Sequence, residues 1–600
     1  MNATQEPVIV VGAGPAGCTA ALLLADFGIP VTLLERRTQP YPLPRAVHLD
    51  DEVARTLDRI GVSEEFLARS RSCSGLRLLD ARHHVMAEFR REHQISQHGF
   101  PQANMFHQPD LEELLLARVE RHPLIIFRRG VEVCGLDGAA GALCVGAFGA
   151  DPTGPTGSVW VHARAAGEMQ AFAGRAVLGC DGANSTIREL AGITMKDLGF
   201  TERWLVVDIR AVGGLDTWDG VEQVCDPARA ATFMHITGDR YRWEFRLLDG
   251  EDEAGLFTPQ ALGRLLQPWT GRSDLDGLQI IRTATYVFRA RLASRFQDGR
   301  VFLLGDAAHL TPPFIGQGLA AGLRDADNLA WKLAHVLTGR AGQDLIGTYE
   351  AERRPHARAL IKKAVRVGWA MTGGQDQAAA VRRIALAAAV RSERVRHAMG
   401  STATPRLKAG AVARVPRRRR VRMPAALRPG SLIPNPLVSA ADGPPARLDT
   451  ILAGRTAVLT ARQPDAELAD YCRRHDLVLV RINGIGTPPR AGADPDADWI
   501  DLRLSDDGRP AGPQALTALR SNPALTVIVR PDRVIAAVAP RYRMPYLPWP
   551  IRPLPCADAR RPRIPSSIQL TWLPRRRFPC SSRFRCCSPQ PASSRRPPSC

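Results

Sequence analysis

The sequence holds no run of about 18 uncharged apolar residues, which excludes a helix that crosses a membrane. It enters a strand pattern with no basic region or cleavage site ahead of it, and the expectation is a soluble, cytoplasmic protein. The twelve cysteines lack metal-ligand spacing through the body of the chain, so no metal site is expected and the thiols read as reduced. A second glycine fingerprint is missing as well. The glycines at 135–157 have neither the preceding strand nor the following helix that a second dinucleotide-binding unit needs. Lysine disappears at the far end. Residues 541–600 contain thirteen arginines, thirteen prolines, five cysteines, one acid (Asp558) and no lysine, and this stretch carries +12 of the formal +20 net charge. Such a mixture has no helical or alternating period and buries too little apolar surface to offset its ordering entropy. It is expected to be a disordered or out-of-frame tail, and not an arm for nucleic acid.

What is present begins in the first forty residues. Six hundred residues predict more than one domain, at about 100–200 residues each. The stretch VIVVGAGPAGCTAALLLADFGIPVTLLERR predicts a strand over 8–11, a glycine turn, a long apolar helix and a second strand over 31–34. Gly12 permits the tight turn, Gly14 lets the backbone approach a pyrophosphate, and Gly17 lets helix and sheet pack closely. Glu35, followed by Arg36 and Arg37, stands where a carboxylate accepts both ribose hydroxyls of an adenosine and opposes a 2′-phosphate, which favours FAD or NAD over NADP.

Further along, 46–61 has an acidic start and helical period, and 105–121 predicts a helix with Asp110 as its N-cap. The region 204–288 predicts a mostly antiparallel sheet. Its run YRWEFRLL puts Tyr241, Trp243, Phe245 and Leu247 on one face and Arg242, Glu244 and Arg246 on the other. Two later turns, GCDGANSTIR (179–188) and GDAAHLTPP (305–313), each set an Asp at the carboxyl end of a strand, where ligands of open α/β sheets bind. After an alanine- and arginine-rich stretch and the basic run PRRRRVRMP, residues 448–482 suggest strand–helix–strand and 525–538 a hairpin turning at Pro531-Asp532, with the lone Cys472 and no CxxC.

With Gly12, Gly14 and Gly17, these two turns resemble, in order and spacing, the three signatures of the flavoprotein aromatic hydroxylases, the family of para-hydroxybenzoate hydroxylase and phenol hydroxylase. The resemblance covers about residues 5–370. It implies an α/β fold: a Rossmann-like FAD-binding domain of the para-hydroxybenzoate hydroxylase type over 1–370, with an inserted antiparallel sheet substrate domain at about 190–295. A helical and basic linker (371–430), a thioredoxin-like domain without CxxC (431–540) and the tail (541–600) follow. By the resemblance, Asp306 holds the ribityl chain, Glu35 the adenosine ribose, Asp181 with Arg188 the flavin and nicotinamide side, and Arg45 and Gln108 make further flavin contacts. Pro312 and Pro313 give a rigid loop without N–H donors beside the flavin, and the helix starting near Gly318 and Leu319 aims its N–H groups at the ring. His48 stands where a substrate could sit, while His309 in GDAAH reads as structural.

The passages RAVHLDDEVARTLDRIG and FHQPDLEELL look most like the branch that hydroxylates 3-hydroxyphenylpropionate or 3-hydroxycinnamate ortho to the existing hydroxyl. Hydroxylases of resorcinol, other phenols or polyketide aromatics share the motifs, as would a flavin-binding protein without hydroxylase activity. Expected cofactors are FAD, with NADH (or NADPH) as co-substrate. Expected partners are a small phenol and O2, with no nucleic acid and no membrane; a homodimer is the assembly left open. A carboxylated phenol needs a cation, for which Arg242, Arg246 and Arg289 are candidates, but alternation does not say which sheet face lines a pocket.

Overall fold

The computed structural model describes residues 6–40, 46–91, 95–139, 158–226, 228–248, 250–251, 253–372, 404–412, 427–440, 444–483, 499–504, 516, 519 and 525–539. Arg45, most of the 371–430 linker and the 541–600 tail lie outside them.

Four consecutive aliphatic residues of the strand Val8–Val11 are all buried, as a strand covered on both faces requires. It is a central member of a six-stranded sheet ordered Gln297–Asp298, Val301–Leu303, Ala176–Gly179, Val8–Val11, Val31–Glu35 and Ile125–Arg129. Every neighbouring pair is parallel except the short hairpin at its edge. Parallel register brings the carboxyl ends together, and the three motif turns are stitched there by backbone hydrogen bonds: Gly12 N–H to Leu34 O and Cys180 N–H to Val11 O, both 2.8 Å, and Leu304 N–H to Gly179 O, 3.0 Å. The helices Pro15–Asp26 and Gly318–Leu337 cross over this edge. A side chain at Gly322 would meet Gly305 Cα at 3.0 Å, so the crossing depends on the missing Cβ.

The predicted antiparallel sheet forms but is not one continuous insertion. Its eight strands run His309–Leu310, Leu278–Ala293, Met195–Ala211, Arg240–Arg246, Ala231–His235, Val221–Val224, Gly75–Leu79 and Val85–Arg90. The last two come from before the insertion and join through a parallel pair, Val221–Val224 with Gly75–Leu79. A helix, Pro259–Thr270, capped by the Thr258 hydroxyl, interrupts the strands and covers one face of the sheet, where Leu262 and Leu266 cluster with Tyr241, Trp243 and Phe245.

Two local expectations are corrected. His48 lies on a strand, His48–Asp50, which pairs with Ala103–Met105; the helix begins only at Asp51, with Asp50 Oδ1 accepting Val53 N–H at 3.0 Å. Asp110 is not an N-cap. Pro109 lets the helix Gln108–Arg121 start earlier, with His107 at the cap, and Asp110 Oδ1 sits 3.0 Å from His107 Nδ1.

The C-terminal part forms a seven-stranded mixed sheet. The strands Ala457–Thr460 and Val478–Asn483 are parallel and joined by the helix Ala466–Arg474; Thr526–Val529 and Ile535–Ala539 form the expected hairpin. Cys472 is buried in that helix. No helix among the described residues is long and apolar enough to cross a membrane.

Candidate functional site

The carboxyl edge of the parallel sheet opens into a cavity of about 1180 Å³. Its first wall is the fingerprint turn. Gly12 has φ +98°, and a Cβ there would lie 2.5 Å from Cys180 O; one at Gly17 would lie 1.9 Å from Gly12 O. Nothing stands within 4 Å of a Cβ at Gly14, whose backbone faces the cavity. The helix Pro15–Asp26 starts with a proline and has no side-chain cap, so its first N–H groups are available to an anion. Glu35 Oε2 accepts Ala13 N–H at 2.9 Å and Oε1 accepts Arg37 N–H at 2.8 Å, which fixes the carboxylate beside the turn. Glu35 and the exposed Arg36 both line the cavity. These features fit the pyrophosphate and ribose of a dinucleotide.

The second wall is the turn at 305–310. Asp306 lines the cavity in a short 3-10 turn, Gly305–Ala307. Behind it, buried Asp325 accepts Gly305 N–H at 3.1 Å, pairs with Arg353 Nε at 2.7 Å and lies 2.7 Å from His309 Nε2. His309 is therefore a brace for the turn and does not line the cavity. Asp181 lines the cavity, but its oxygens accept Ser185 Oγ–H at 2.5 Å and Ile187 N–H at 3.0 Å, so it shapes the turn into the helix Thr186–Leu190. Arg188 is buried and donates to Ala183 O and Ala307 O at 3.0 and 3.1 Å. It ties the two turns together and is not among the lining residues, contrary to the expected role beside a ligand.

The third wall carries the loop 311–319. Pro313, Gly318 and Leu319 line the cavity, whereas Pro312 is buried behind it and does not. Gln317 Nε2 donates to Asp50 Oδ2 at 2.9 Å, and Arg324 pairs with Asp50 and with Glu52, which locks the start of the helix Gly318–Leu337 against the strand of His48. Gln108 also lines the cavity; its Oε1 accepts Ala46 N–H at 2.7 Å and its Nε2 donates to Glu112 at 2.6 Å.

The fourth wall was hidden from sequence reading. It is the polar face of the eight-stranded sheet, which covers the cavity in two cross-strand rows. One row is Gln223, Thr232, Glu244 and Val206; the next is Val221, Met234, Arg242, Asp208 and Arg282. Arg242 makes a bidentate pair with Asp208 (Nε to Oδ1 2.6 Å, Nη2 to Oδ2 3.1 Å), and Arg282 Nη2 approaches Asp208 Oδ2 at 2.6 Å. Arg282 Nη1 donates to the Tyr286 hydroxyl at 2.9 Å, while its buried Nε has no hydrogen-bond partner among the described residues. Arg242 and Arg289 line the cavity; Arg246 does not and pairs with Glu202 at 3.5 Å.

Two buried acceptors hang from the proline loop. His48 Nδ1 lies 3.4 Å from Gly316 O, and Gln223 Nε2 donates to Phe314 O at 3.0 Å. With Nδ1 carrying the proton, His48 Nε2 is a lone-pair acceptor, and both it and Gln223 Oε1 are buried without a partner among the described residues. Burial, reinforced by Arg91, pushes the His48 imidazole down to about 4, so it is neutral at neutral pH. Among the described residues no cluster could hold a metal ion.

Residues 5–364 match the FAD binding domain family. Over 363 residues, 60% of this chain, it is 36% identical to the 3-(3-hydroxy-phenyl)propionate/3-hydroxycinnamic acid hydroxylase 2 of Burkholderia vietnamiensis, of which the match spans 63%. A probable NADH-specific resorcinol 4-hydroxylase of Rhodococcus jostii is 34% identical over 385 residues, 64% of this chain and 69% of that protein. In fold, the chain is similar to aklavinone-11 hydroxylase, solved with FAD and aklavinone, with a TM-score of 0.69 over 90% of this chain and 96% of that one at 23% identity. The glycine turn, Glu35 and Asp306 thus meet around one cavity inside the matched residues, and the chain belongs to the FAD binding domain family, with FAD as its cofactor.

Proposed function

We propose that the chain is an FAD-dependent monooxygenase that uses NADH and O2 to hydroxylate a phenolic ring, with a carboxylated phenol such as 3-(3-hydroxyphenyl)propionate or 3-hydroxycinnamate as substrate and the position ortho to the hydroxyl as target. One observation carries the reading: the dinucleotide-binding turns and the polar sheet face open into the same cavity, so a ring held by the sheet lies beside a bound flavin. The names of the relatives, a hydroxyphenylpropionate hydroxylase and a resorcinol hydroxylase, support the phenol.

Bound FAD supplies the oxygen chemistry. The chain's own residues do the rest. His48 Nε2 and Gln223 Oε1 are acceptors for a phenol O–H, and a proton moved onto Nε2 raises the electron density of the ring. Pro313 presents no N–H to the reacting region, and the Arg242 and Arg282 side chains offer positive charge to a carboxylate at the other end of the substrate. That cationic row favours a carboxylated phenol over resorcinol or a polyketide aromatic. NADH is expected to serve at least as well as NADPH, because Glu35 in the fingerprint site speaks only to FAD and the sequence shows no site for a 2′-phosphate. We further read the C-terminal sheet as a thioredoxin-like domain without dithiol chemistry, on the strand–helix–strand and hairpin order and the lone buried Cys472.

The test is NADH oxidation by the flavin-loaded protein across a panel of phenols, with product analysis. A catechol formed from 3-(3-hydroxyphenyl)propionate is expected. NADH oxidation that never yields a hydroxylated product from any phenol would reject the reading.

A further inference from the structure

Gly368 stands near the end of the long helix Asp344–Thr372, and its φ is not positive, so the backbone there does not require a glycine. Glycine weakens a helix interior relative to alanine. Space accounts for it instead. Phe314 of the proline loop lies against this position, and a Cβ built at 368 would meet three carbons of the ring at 3.0 Å or less. The ring has little room to swing aside. Phe200, Trp204 and Phe288 of the eight-stranded sheet stand around it edge-on, with centroids 5.6, 5.4 and 6.4 Å away and interplanar angles of 86°, 63° and 88°. Sheet and helix thus enclose one buried side chain between them.

That side chain belongs to a short loop with three tasks. Pro313 lines the cavity without an N–H donor, Phe314 O accepts Gln223 Nε2–H at 3.0 Å, and Gly316 O lies 3.4 Å from His48 Nδ1. The two acceptors that are buried without a partner among the described residues, His48 Nε2 and Gln223 Oε1, therefore hang from carbonyls within two residues of the enclosed ring. The helix on the other side of the ring is a wall of the same cavity, through Leu360, Lys363, Val367 and Ala370. Earlier turns of that helix are fastened. Tyr349 Oη–H donates to Leu303 O at 2.7 Å, Arg353 pairs with Asp325 at 2.7 Å, and Arg354 Nε donates to Ala293 O at 3.0 Å. Bulk added at 368 is thus passed on to the loop.

We propose that Gly368 is a positioning residue: the notch it leaves seats Phe314 and so sets how far the loop 313–316 reaches into the cavity, and with it the place of Pro313 and of the His48 and Gln223 acceptors. The role in hydroxylation rests on the reading of this cavity given above, but the seating of the loop does not need turnover. A phenol held by displaced acceptors presents the wrong carbon to the flavin, and a displacement of about 1 Å at a reacting centre costs on the order of 10²-fold in rate. The glycine turn and Asp306 stand on other walls of the cavity. A methyl group at 368 should therefore spoil hydroxylation before it spoils flavin binding.

The experiment is a double-mutant cycle on the flavin-loaded protein with 3-(3-hydroxyphenyl)propionate and NADH. Gly368→Ala is expected to lower kcat by about ten- to a hundredfold and to reduce the product formed per NADH consumed, with FAD affinity and the KM for NADH within about threefold of the parent. In a Phe314→Leu background, where the methyl group meets a shorter side chain, the same change should cost less than about threefold. An equal cost in both backgrounds, or a Gly368→Ala protein that loses flavin and unfolding midpoint at an unchanged product-to-NADH ratio, would overturn the proposal. So would a Gly368→Ala protein with the kcat and ratio of the parent, since the helix end then bends away. If Gly368→Ala does not fold, Phe314→Leu decides: a lower product-to-NADH ratio at full flavin content is expected, and a ratio equal to that of the parent overturns the proposal. A parent protein that hydroxylates no phenol retires the hydroxylase reading, and the cycle is then read in affinity for the same phenol, followed by flavin absorbance. Gly368→Ala should weaken that affinity in the parent background and not in the Phe314→Leu background; no difference between backgrounds, or no phenol binding at all, overturns the role of Gly368 as well.

Discussion

Arg530 and Glu352 meet as a fully buried bidentate pair, Nη1 to Oε1 and Nη2 to Oε2 both at 2.9 Å, although 178 residues separate them. Glu352 belongs to the long helix Asp344–Thr372 that also lines the cavity, and Arg530 to the turn of the C-terminal hairpin. Lys332 and Asn328 reach the same carboxylate at 2.8 and 2.7 Å, and Asp532 braces Arg530. The C-terminal sheet is thereby fastened to the FAD domain by charge satisfied on every side.

Arg530→Met is expected to destabilise the protein by about 3–5 kcal/mol, since it strands part of a buried charge cluster. Burial would raise Glu352, but Arg530 and Lys332 hold it down to about 2, below its ordinary 4.5. Its contribution is thus present above about 4.5 and drains away as pH falls towards 2. Urea unfolding at pH 7 and pH 3 measures both. A loss under about 1 kcal/mol at pH 7 would mean that Lys332 and Asn328 suffice.

The three fingerprint glycines make a second prediction because their surroundings differ. Alanine at Gly17 drives a Cβ to 1.9 Å from Gly12 O and should impair folding with or without flavin. Alanine at Gly14 meets nothing within 4 Å at an ordinary φ of −71°, so the apoprotein should fold normally and only FAD affinity should drop. Apoprotein unfolding midpoints and flavin titrations separate the two. Equal damage to apoprotein stability would reject the reading of Gly14 as the point of pyrophosphate approach.

Asp306→Ala should weaken FAD by about 1.5–3 kcal/mol, the range for a hydrogen bond to a charged group, with little change in the apoprotein. The reason is that the 305–310 turn is braced from behind by Asp325, which accepts Gly305 N–H and meets His309 and Arg353. Full flavin occupancy after extensive dialysis of this variant would remove Asp306 from the cofactor site.

How much of this was legible beforehand depends on the range of the cause. Gly12, Gly14, Gly17, Glu35 and Asp306 are legible because each answers to a turn or strand end set by its immediate neighbours. Arg242 and Glu244 were visible as one face of a strand, but their meaning was not, because both faces turned out to be buried. The helix Pro259–Thr270 covers Trp243 and Phe245, and the cavity covers the other side. Arg282 and Gln223 belong to the same rows only through pairings across five strands, which no local pattern encodes. His48 was assigned to a helix start because its acidic neighbours favour one. Pairing with Met105, some sixty residues on, keeps it in a strand and turns its ring into the cavity. Arg188 misled for the opposite reason: the motif places it correctly, and only the fold shows that it stands outside the cavity lining with its Nη1 shared between Ala183 O and Ala307 O.

His48 supplies a prediction about rate. His48→Ala should lower kcat for a phenol by about 10²–10⁴-fold while changing flavin content little, because among the described residues the ring bonds only to Gly316 O, and it lies outside the dinucleotide turns. Its imidazole, held near 4, should contribute no ionisation to the rate profile between pH 5.5 and 8. A kcat within threefold of the parent would exclude His48 as the acceptor and leave Gln223 as the remaining unpartnered acceptor on that loop.

The tail supplies the final prediction. Every described residue that lines the cavity lies between Val11 and Ala370, and the last described strand, Ile535–Ala539, ends before residue 541. Beyond it, thirteen arginines, five cysteines and thirteen prolines stand with a single acid and no apolar period, a composition that offers a folded domain neither a core nor charge partners. Deletion of 541–600 is therefore expected to leave FAD content, hydroxylation and the unfolding midpoint unchanged, and to reduce thiol- and salt-dependent association by removing twelve units of net positive charge and five thiols. Flavin titration, product analysis and light scattering of the shortened protein check each part. If the deletion lowers the unfolding midpoint or releases flavin, the tail packs against the rest of the chain despite its composition, and its arginines must then find acids beyond Asp558, the one that the tail itself contains.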